Sequence, residues 1–437
     1  MKPSTNDSEG IVVDSFAAAR RSLRIACVTE TYPPEVNGVA STMARFVEGL
    51  HRRNHDVQLI RPRQAASQSA EAQPRFGETT PRFGETTPRF HEVLMRGLPI
   101  PKYPNLRMGV PSKRSLVKLW STHRPDVVHI ATEGPLGYSA LQAALHLKLP
   151  VCSDFRTNFH AYSKHYGVGW LHRPIMAYLR KFHNRTQATM VPTEALRRDL
   201  EAAGFRHVTV VKRGVDTGSF GPAYRSEALR AQWGAAPTDL VVGYVGRLAQ
   251  EKNLAVLTQA FEAIRRADPR AKLVMVGDGP QRAELQARWP EAVFAGQRVG
   301  AELSAHYASF DLFLFPSITE TFGNVTPEAM ASGLPVVAFD YAAAAQIIQH
   351  GVNGRLVPFG DAQAFVAESL ALASDSAQRA AMGPAAREAA ARLTWDSIVA
   401  RFETVLLSVM EPPRPLPIAA PLGGFRSGSA EPDPREA

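Results

Sequence analysis

Two glutamates with seven residues between them follow a strongly apolar segment in the second half of the chain. Glu320 and Glu328 bound the sequence ETFGNVTPE, shortly after the run 311–315, which predicts a buried strand. Acids at this spacing do not share one face of a helix, so Glu320 is predicted in the strand-to-helix loop and Glu328 in the first helical turn. Thr326 is the expected N-cap, and Pro327 suits the first helical position.

The start of this helix is a predicted anion site. Backbone N–H groups between residues 322 and 326 have no partner inside the helix, and they lie at the carboxyl edge of the sheet. Glu328 alone is also explained by a favourable interaction with the helix dipole. Glu320 has no such structural explanation, because a carboxylate beside an anion site is unfavourable. The pair therefore indicates a binding function.

Two cations follow another predicted strand and belong to the same sheet edge. The sequence VGRL ends the strand at Gly246 and Arg247, and Lys252 precedes a predicted helix. A glycine allows close approach of the backbone to a ligand. Two fixed cations suit a diphosphate leaving group, whose charge grows as a glycosidic bond breaks. The alternative is an exposed Glu251–Lys252 pair of little energetic value.

Two further strand-to-helix loops contribute candidates. Gly277 lies in a tight VGDGP turn that is typical of doubly wound folds but indicates little about a ligand. The loop 29–39 lacks the GxGxxG pattern of dinucleotide-binding dehydrogenases. Asn37 and Gly38 instead open a helix. Its N-terminal amides are expected to meet the phosphates of the same diphosphate ligand from across a cleft.

Alternating strands and amphipathic helices in both halves predict an α/β protein of two doubly wound parallel-sheet, Rossmann-like domains facing each other across a cleft. The predicted strands are 23–29, 56–60, 126–130, 150–154, 188–192 and 207–211, then 240–245, 271–276, 292–295, 312–315, 335–339 and 354–357. The predicted divisions are a flexible 1–22, a domain 23–213 with helix 396–410 packing back onto it, a domain 214–395 and a disordered 411–437.

Composition narrows the function classes. The 437 residues carry a net charge of +9. Residues 1–213 hold 31 Lys and Arg against 17 Asp and Glu, a net +14, so the excess lies in the first half. Such a half fits an anionic membrane surface or phosphorylated substrate, and equally a solvated arginine-rich surface. No RNA-binding strand pattern or zinc knuckle accompanies the charge, so nucleic acid is not an expected partner.

Location and unusual segments give weaker indications. The N-terminus lacks a signal-peptide pattern, and no apolar run is long enough to span a membrane, so we expect a cytoplasmic protein, with peripheral membrane contact as an open alternative. Cys27 and Cys152 lie in apolar strands and are expected to be buried thiols. The seven-residue sequence RFGETTP at 75–81 recurs at 82–88. Such a copy is typical of a tolerant surface loop, with a functional acceptor loop as the alternative.

Taken together, these motifs resemble the large retaining GT-B glycosyltransferase family (glycosyl transferases group 1). The resemblance rests on Glu-x7-Glu, the Gly-Arg…Lys element, Gly-Asp-Gly-Pro, Asn-Gly-Val after the first strand and Gly-Val-Asp at 214–216, in matching order over about residues 23–410. The segments 129–135 and 153–160 look most similar to GDP-mannose-dependent alpha-mannosyltransferases and to glycolipid-forming sulfoquinovosyl- and glycosyl-diacylglycerol enzymes.

The resemblance implies a nucleotide-sugar donor and roles for individual residues. Glu320 would hold sugar hydroxyls, Glu328 the ribose, and Arg247 with Lys252 the diphosphate; Arg247, Lys252 and Glu320 form the implied catalytic set. The implied donor-site residues are Asn37, Gly38, Arg156, Gly246, Arg247, Lys252, Gly277, Arg298, Glu320, Thr321, Phe322, Gly323, Asn324 and Glu328. The implied acceptor-side residues are Glu133, Arg156 and His160.

One residue departs from the family pattern. Arg156 stands where the family often has a histidine near C6 of the donor sugar, so either Arg156 brings a fixed charge there or His160 takes over the contact. This difference leaves the sugar open.

The resemblance also implies a mechanism. The acceptor, a lipid or glycan hydroxyl, attacks on the face of the leaving group, and a donor phosphate oxygen removes its proton. No Asp-x-Asp element is present, which favours chemistry without a metal or other cofactor. Mannose transfer from GDP-mannose is the first expectation and UDP-sugar-dependent glycosylation of diacylglycerol the second. A nucleotide-sugar epimerase, or a non-catalytic protein docking on membranes through Arg173, Arg180, Lys181 and Arg185, remains open.

Overall fold

A computed structural model of the chain describes residues 22–35, 37–63, 90–100, 103–156 and 172–410. The duplicated seven-residue sequence, His160, the N-terminal segment 1–21 and the tail 411–437 lie outside the described residues. The predictions made for them are therefore left as predictions.

The first half forms a seven-stranded parallel sheet with the order β3-β2-β1-β6-β7-β8-β9. Its strands are β1 (Arg24–Val28), β2 (Asp56–Pro62), β3 (His91–Met95), β6 (Val127–Ile130), β7 (Val151–Asp154), β8 (Ala188–Val191) and β9 (Val208–Val210). An antiparallel hairpin, β4 (Gly97–Ile100) and β5 (Tyr103–Gly109), follows β3. The strands at the centre of the sheet are buried on both faces, which explains their nearly continuous apolar sequences.

The second half forms a six-stranded parallel sheet with the order β12-β11-β10-β13-β14-β15. Its strands are β10 (Val241–Val245), β11 (Lys272–Val276), β12 (Val293–Gly296), β13 (Leu312–Phe315), β14 (Val336–Phe339) and β15 (Gly354–Val357). Because β10 pairs with both β11 and β13, the loops that follow these three strands share one edge. That edge carries the predicted cations and glutamates.

Helices connect the strands in both halves. In the first half they are α1 (Gly38–Arg52), α2 (Lys113–Thr122), α3 (Pro135–His146), α4 (His172–His183) and α5 (Glu194–Ala202). In the second half they are α6 (Glu227–Gln232), α7 (Leu254–Ala267), α8 (Arg282–Arg288), α9 (Gly300–Ala308), α10 (Val325–Ala331), α11 (Ala344–Ile347), α12 (Ala362–Ser374) and α13 (Ser376–Ala391), followed by α14 (Trp395–Ser408). None of the helices in the described ranges is long and apolar enough to cross a membrane.

The last helix, α14, leaves the second half of the chain and packs on α1. Phe402 is fully buried, and its ring stacks on Phe46 with 4.2 Å between centroids. Glu403 accepts a hydrogen bond from Arg53 at 2.7 Å and lies 3.0 Å from Nε2 of His55. The first sheet therefore shares a hydrophobic core with a helix that follows the second sheet.

One local expectation was wrong, and the hairpin β4–β5 was not predicted. Helix α10 begins at Val325, with Asn324 at the N-cap position, so Thr326 and Pro327 lie inside the first turn and not at its start. The hairpin β4–β5 was not predicted, because prolines at 99 and 104 are unusual in strands. It forms beside the edge strand β3, where a missing N–H group breaks no central ladder.

Phe402→Ala is expected to remove the main contact between α14 and α1. Truncating a buried phenylalanine costs about 3–5 kcal/mol in the free energy of unfolding. Denaturant unfolding followed by tryptophan fluorescence checks this, with the exposed Thr404→Ala on the same helix as control. A denaturation midpoint of Phe402→Ala equal to that of the wild type would contradict this packing.

Candidate active site

Glu320 lies in the loop after β13 and is held from several sides. Its carboxylate forms an ion pair with Lys252 and accepts a hydrogen bond from Oγ of Ser317 at 2.7 Å. The hydroxyl of Tyr341 donates to its backbone carbonyl at 2.6 Å. Burial raises the pKa of Glu320, but Lys252, Ser317 and the nearby Arg213 outweigh burial and lower it below its usual value. Glu320 is thus a fixed carboxylate at neutral pH.

Gly323 determines the path of this loop. Its φ of +89° lies in the left-handed region, and a Cβ there would be 3.3 Å from Cγ of Glu320. A side chain at this position would strain the backbone and displace the carboxylate. The glycine of the predicted motif is thereby explained by the position of Glu320.

The cations lie after β10, on the neighbouring strand of the same sheet. Lys252 ends a short 3-10 helix, Gln250–Lys252, and its ammonium group reaches Glu320. Arg247 is partly exposed, and its Nη1 lies 3.6 Å from the buried carboxylate of Glu251. Because Glu251 is fully buried, the alternative of an exposed Glu251–Lys252 surface pair was wrong.

Close contact between backbones brings two predicted loops together. Gly277 follows β11, and a Cβ there would lie 1.9 Å from the carbonyl oxygen of Gly246. The amide of Gly246 donates to Val276, and the amide of Leu248 donates to Asp278. Gly277 is required by this contact, which holds the Arg247 loop at the sheet edge. A Cβ on Gly246 would instead lie 2.8 Å from the hydroxyl oxygen of Tyr244.

Glu328 lies in α10 with its side chain buried. Its Oε2 accepts a hydrogen bond from the hydroxyl of Tyr307 at 2.9 Å. Burial raises the pKa of Glu328 to about 7, although the Tyr307 hydroxyl acts in the opposite direction. The carboxylate therefore titrates near neutral pH, a property that interaction with a helix dipole alone does not produce.

Arg213, which the sequence did not single out, reaches across the cleft between the two halves. Its Nη1 donates to Oδ1 of Asn324 at 3.1 Å, and its guanidinium lies 6.0 Å from the ring centre of Phe322. Burial and the nearby Arg156 lower the pKa of Arg213 to about 9, so it remains a cation at neutral pH. A Cβ on Gly38 would lie 3.1 Å from Nη1 of Arg213.

Comparisons with known proteins agree with this geometry. Family models for glycosyltransferase family 4 and for glycosyl transferases group 1 match residues 36–219 and 239–375. A GDP-mannose-dependent alpha-mannosyltransferase of Mycobacterium tuberculosis is 34% identical over 390 residues, covering 88% of this chain and 97% of that protein. The chain belongs to the group 1 glycosyltransferase family.

Two further similarities concern a glycolipid enzyme and the fold. The sulfoquinovosyl transferase of Arabidopsis thaliana is 33% identical over 309 residues, covering 69% of this chain and 60% of that protein. The structure of a sucrose-phosphate synthase from Thermosynechococcus elongatus superposes with a TM-score of 0.68 at 17% identity, covering 89% of this chain and 99% of that one. The predicted family, two-domain GT-B fold and hexosyltransferase class are confirmed.

Arg156 of this glycosyltransferase is neutralised by a buried partner. Its Nε donates to Oδ2 of Asp154 at 2.5 Å, and its guanidinium lies 5.0 Å from the ring centre of Phe46. Nε2 of His129 lies 3.1 Å from the same carboxylate oxygen. The carbonyl of Arg156 accepts a hydrogen bond from Oγ1 of Thr321 at 2.9 Å, so this residue joins the first half to the loop of Glu320.

Other predicted residues lie elsewhere or are already engaged. Oδ1 of Asn37 accepts hydrogen bonds from the amides of Val39 and Ala40. These two amides of α1 are therefore not free for the phosphate contact that the sequence predicted. Arg298 follows edge strand β12 and pairs with Glu302 at 3.2 Å. Glu133 is 5% exposed and lies 3.2 Å from Nε2 of the buried His183.

The residues that the sequence missed share one property. Each supports a recognised motif: Tyr341 and Ser317 hold Glu320, Tyr307 holds Glu328, and Arg213 contacts Asn324. Ser317 does so from within the loop of Glu320, and the other three from outside that loop and helix α10. Only Arg213 has a signal in the sequence, since it directly precedes the Gly214-Val215-Asp216 motif.

Donor affinity is expected to depend on the ionisation of Glu328. If the carboxylate accepts hydrogen bonds from the donor, the dissociation constant rises by at most about tenfold for each pH unit below the pKa of about 7. Calorimetric titration with GDP against pH checks this. Glu328→Gln should remove the pH dependence, whereas Tyr307→Phe should shift its midpoint to higher pH because it removes the hydrogen bond that lowers the pKa. A wild-type profile that is flat around neutral pH would contradict the prediction.

Arg213→Gln is expected to lower kcat about 100-fold, because it removes a buried cation from the cleft while leaving a side chain that can still contact Asn324. Steady-state kinetics with saturating donor checks this. Arg45→Gln is the matched control, since Arg45 forms a half-exposed pair with Asp216 near the junction of the two halves. Equal losses in both variants would mean that Arg213 acts through domain packing and not through its charge.

Proposed function

We propose that this glycosyltransferase retains the anomeric configuration and transfers mannose from GDP-mannose to a hydroxyl group of a lipid or glycan acceptor. The observation that carries the proposal is the 34% identity to a GDP-mannose-dependent alpha-mannosyltransferase over almost the whole of that protein. The cleft geometry supports it, because cations and carboxylates face each other where a sugar diphosphate would lie.

The proposed donor contacts follow from charge. Arg247 and Lys252 hold the diphosphate from the second domain, and Arg213 adds a buried cation from the junction of the two halves. Glu320, ionised and fixed by Lys252 and Ser317, accepts hydrogen bonds from the sugar hydroxyls. Glu328 accepts hydrogen bonds from the ribose. Arg247, Lys252 and Arg213 stabilise the negative charge that develops on the leaving diphosphate.

The proposed mechanism assigns the proton transfer to the donor. A retaining reaction through a covalent enzyme intermediate needs a carboxylate against the anomeric carbon. Glu320 is the carboxylate of the loop, and its ion pair with Lys252 and hydrogen bond from Ser317 suit binding better than nucleophilic attack. We infer that the acceptor hydroxyl attacks on the face of the leaving group while a phosphate oxygen takes its proton. The arginines and Lys252 supply the positive charge, and no metal cofactor is required.

A UDP-sugar-dependent transfer to diacylglycerol is the second candidate. Its support is the 33% identity to a plant sulfoquinovosyl transferase over 69% of this chain. Both candidates fit a cytoplasmic enzyme with peripheral membrane contact, because a lipid acceptor must be reached at the bilayer surface. The basic side chains Arg173 and Lys181 of α4 are exposed and favour such contact with anionic lipid.

Slow hydrolysis of a panel of GDP- and UDP-sugars tests the proposal and separates the two candidates. GDP-mannose should release GDP, and Lys252→Ala should lower the rate at least about 100-fold, because it removes a cation from the leaving group. Lys118→Ala, an exposed lysine on α2, is the control. Release of UDP alone would favour the second candidate. If the protein neither hydrolyses nor binds any of these nucleotide-sugars, the assignment of the donor site is contradicted.

A further inference from the structure

Two aromatic side chains lie side by side at the carboxyl edge of the second sheet. Tyr341 follows β14 and Phe359 follows β15, and their ring centroids are 5.0 Å apart. Phe359 also contacts Phe339 of β14, with 6.1 Å between centroids, yet 55% of its surface is exposed. Exposed apolar surface beside a polar site is typical of a ligand-binding groove. We call Tyr341 and Phe359 the aromatic pair.

The aromatic pair is fixed to the loop of Glu320. The hydroxyl of Tyr341 donates to the backbone carbonyl of Glu320 at 2.6 Å, and the amide of Ala343 donates to the carbonyl of Phe322 at 2.8 Å. Ala342, between these two contacts, has a φ of +54°, which is unfavourable for a residue other than glycine. The contacts on either side hold the backbone in this conformation, so the position of the pair relative to Glu320 is determined.

The strand order indicates which part of the reacting system lies over the aromatic pair. The strands of this sheet follow the order β12-β11-β10-β13-β14-β15, and ligands of open α/β sheets bind along the carboxyl edge. The proposed diphosphate contacts come after β10, and the proposed sugar contact, Glu320, comes after β13. The next loops along the edge carry Tyr341 and Phe359. The group that lies beyond the donor sugar in this direction is the acceptor.

A carboxylate of the first half faces the same place. Burial, then the charges of Glu320 and Asp199, raise the pKa of Tyr341 to about 12, so Asp199 of α5 lies close to the aromatic pair. Asp199 is exposed and forms no ion pair with another residue of the described ranges. The aromatic pair and this carboxylate therefore lie on the two sides of the cleft.

This combination matches the chemistry of a sugar ring. A pyranose has faces of C–H groups, whose positively polarised hydrogens are attracted to the negative face of an aromatic ring. Its rim carries hydroxyl groups, which donate hydrogen bonds to a carboxylate such as that of Asp199. An acyl chain would also cover the rings, but it has no donor for the carboxylate.

We propose that Phe359 and Tyr341 form a stacking platform for a pyranose ring of the acceptor, with Asp199 accepting a hydrogen bond from one of its hydroxyl groups. The inference rests on the proposed transfer and deepens it, because it selects a glycosylated acceptor over one without a sugar. The hydroxyl that attacks the donor then belongs to the stacked ring.

The test compares transfer from GDP-mannose to diacylglycerol and to its monoglucosyl and monomannosyl derivatives in phosphatidylcholine vesicles. Wild type should prefer the glycosylated acceptors in kcat/KM, and Phe359→Ala should reduce this preference about tenfold because the stacking contact is lost. Phe359→Trp should keep the preference, since it keeps an aromatic face. Phe359 is the residue to vary, because Tyr341 also holds Glu320. Val352→Ala is the matched control, since Val352 is 49% exposed and precedes β15 at the opposite end of the strand.

Several outcomes would overturn the platform and leave the proposed function standing. One is an unchanged preference in Phe359→Ala, and another is an equal loss with all acceptors and in donor hydrolysis, which would mean a structural role. A preference that Phe359→Leu keeps as well as Phe359→Trp would show apolar contact without stacking. Wild-type preference for plain diacylglycerol would also overturn it.

A binding measurement decides the case in which wild type uses none of these acceptors. Methyl glucoside and methyl mannoside are titrated into the GDP-loaded full chain, and binding is followed by saturation-transfer NMR. Binding that is weakened in Phe359→Ala and kept in Val352→Ala supports the platform, whereas no binding to wild type, or equal binding to all three proteins, overturns it. If no nucleotide-sugar is hydrolysed or bound, the proposed function fails, and the same titration without nucleotide then judges the platform.

Discussion

The ion pair between Lys252 and Glu320 is the contact on which the rest of the cleft depends. Both side chains are largely buried, and removing one partner of such a pair leaves an uncompensated charge in a poorly hydrated place. The pair forms because β10 and β13 are neighbours in the sheet, so the loops after them meet at one edge. The parallel order of the second sheet thus determines the geometry of the candidate active site.

The two halves meet through polar contacts of the same loop. Thr321 donates to the carbonyl of Arg156, and Asn324 accepts from Arg213. Residues next to Glu320 therefore hold the first half against the second, while α14 gives the halves a shared apolar core. A ligand that displaces these contacts also changes how the domains lie, because interfaces within a chain are polar enough to adjust. We therefore expect ligand binding at this loop to be linked to the relative position of the domains.

The sequence was informative where one short segment carries both structure and chemistry. The apolar run 311–315, Glu320 and Glu328 lie within one strand-loop-helix unit, so both the fold and the candidate residues followed from local pattern. Arg213 and Tyr307 could not be recognised in this way, since their roles arise from contacts across many residues of sequence. The β4–β5 hairpin was missed for a related reason: it depends on the edge of a sheet that forms from distant strands.

The cations of the cleft differ in whether a carboxylate is paired with them. Arg156 is balanced by Asp154, and Lys252 is balanced by Glu320. Arg213 is buried between them, and its Nη1 donates to the side-chain carbonyl of Asn324. Burial together with Arg156 lowers its pKa, although Asp154 and Glu320 act in the opposite direction. Among the described residues Arg213 forms no direct ion pair, and a buried cation of this kind is unfavourable in the protein alone and becomes favourable when an anion binds. The cleft is therefore organised for a ligand that brings negative charge with it.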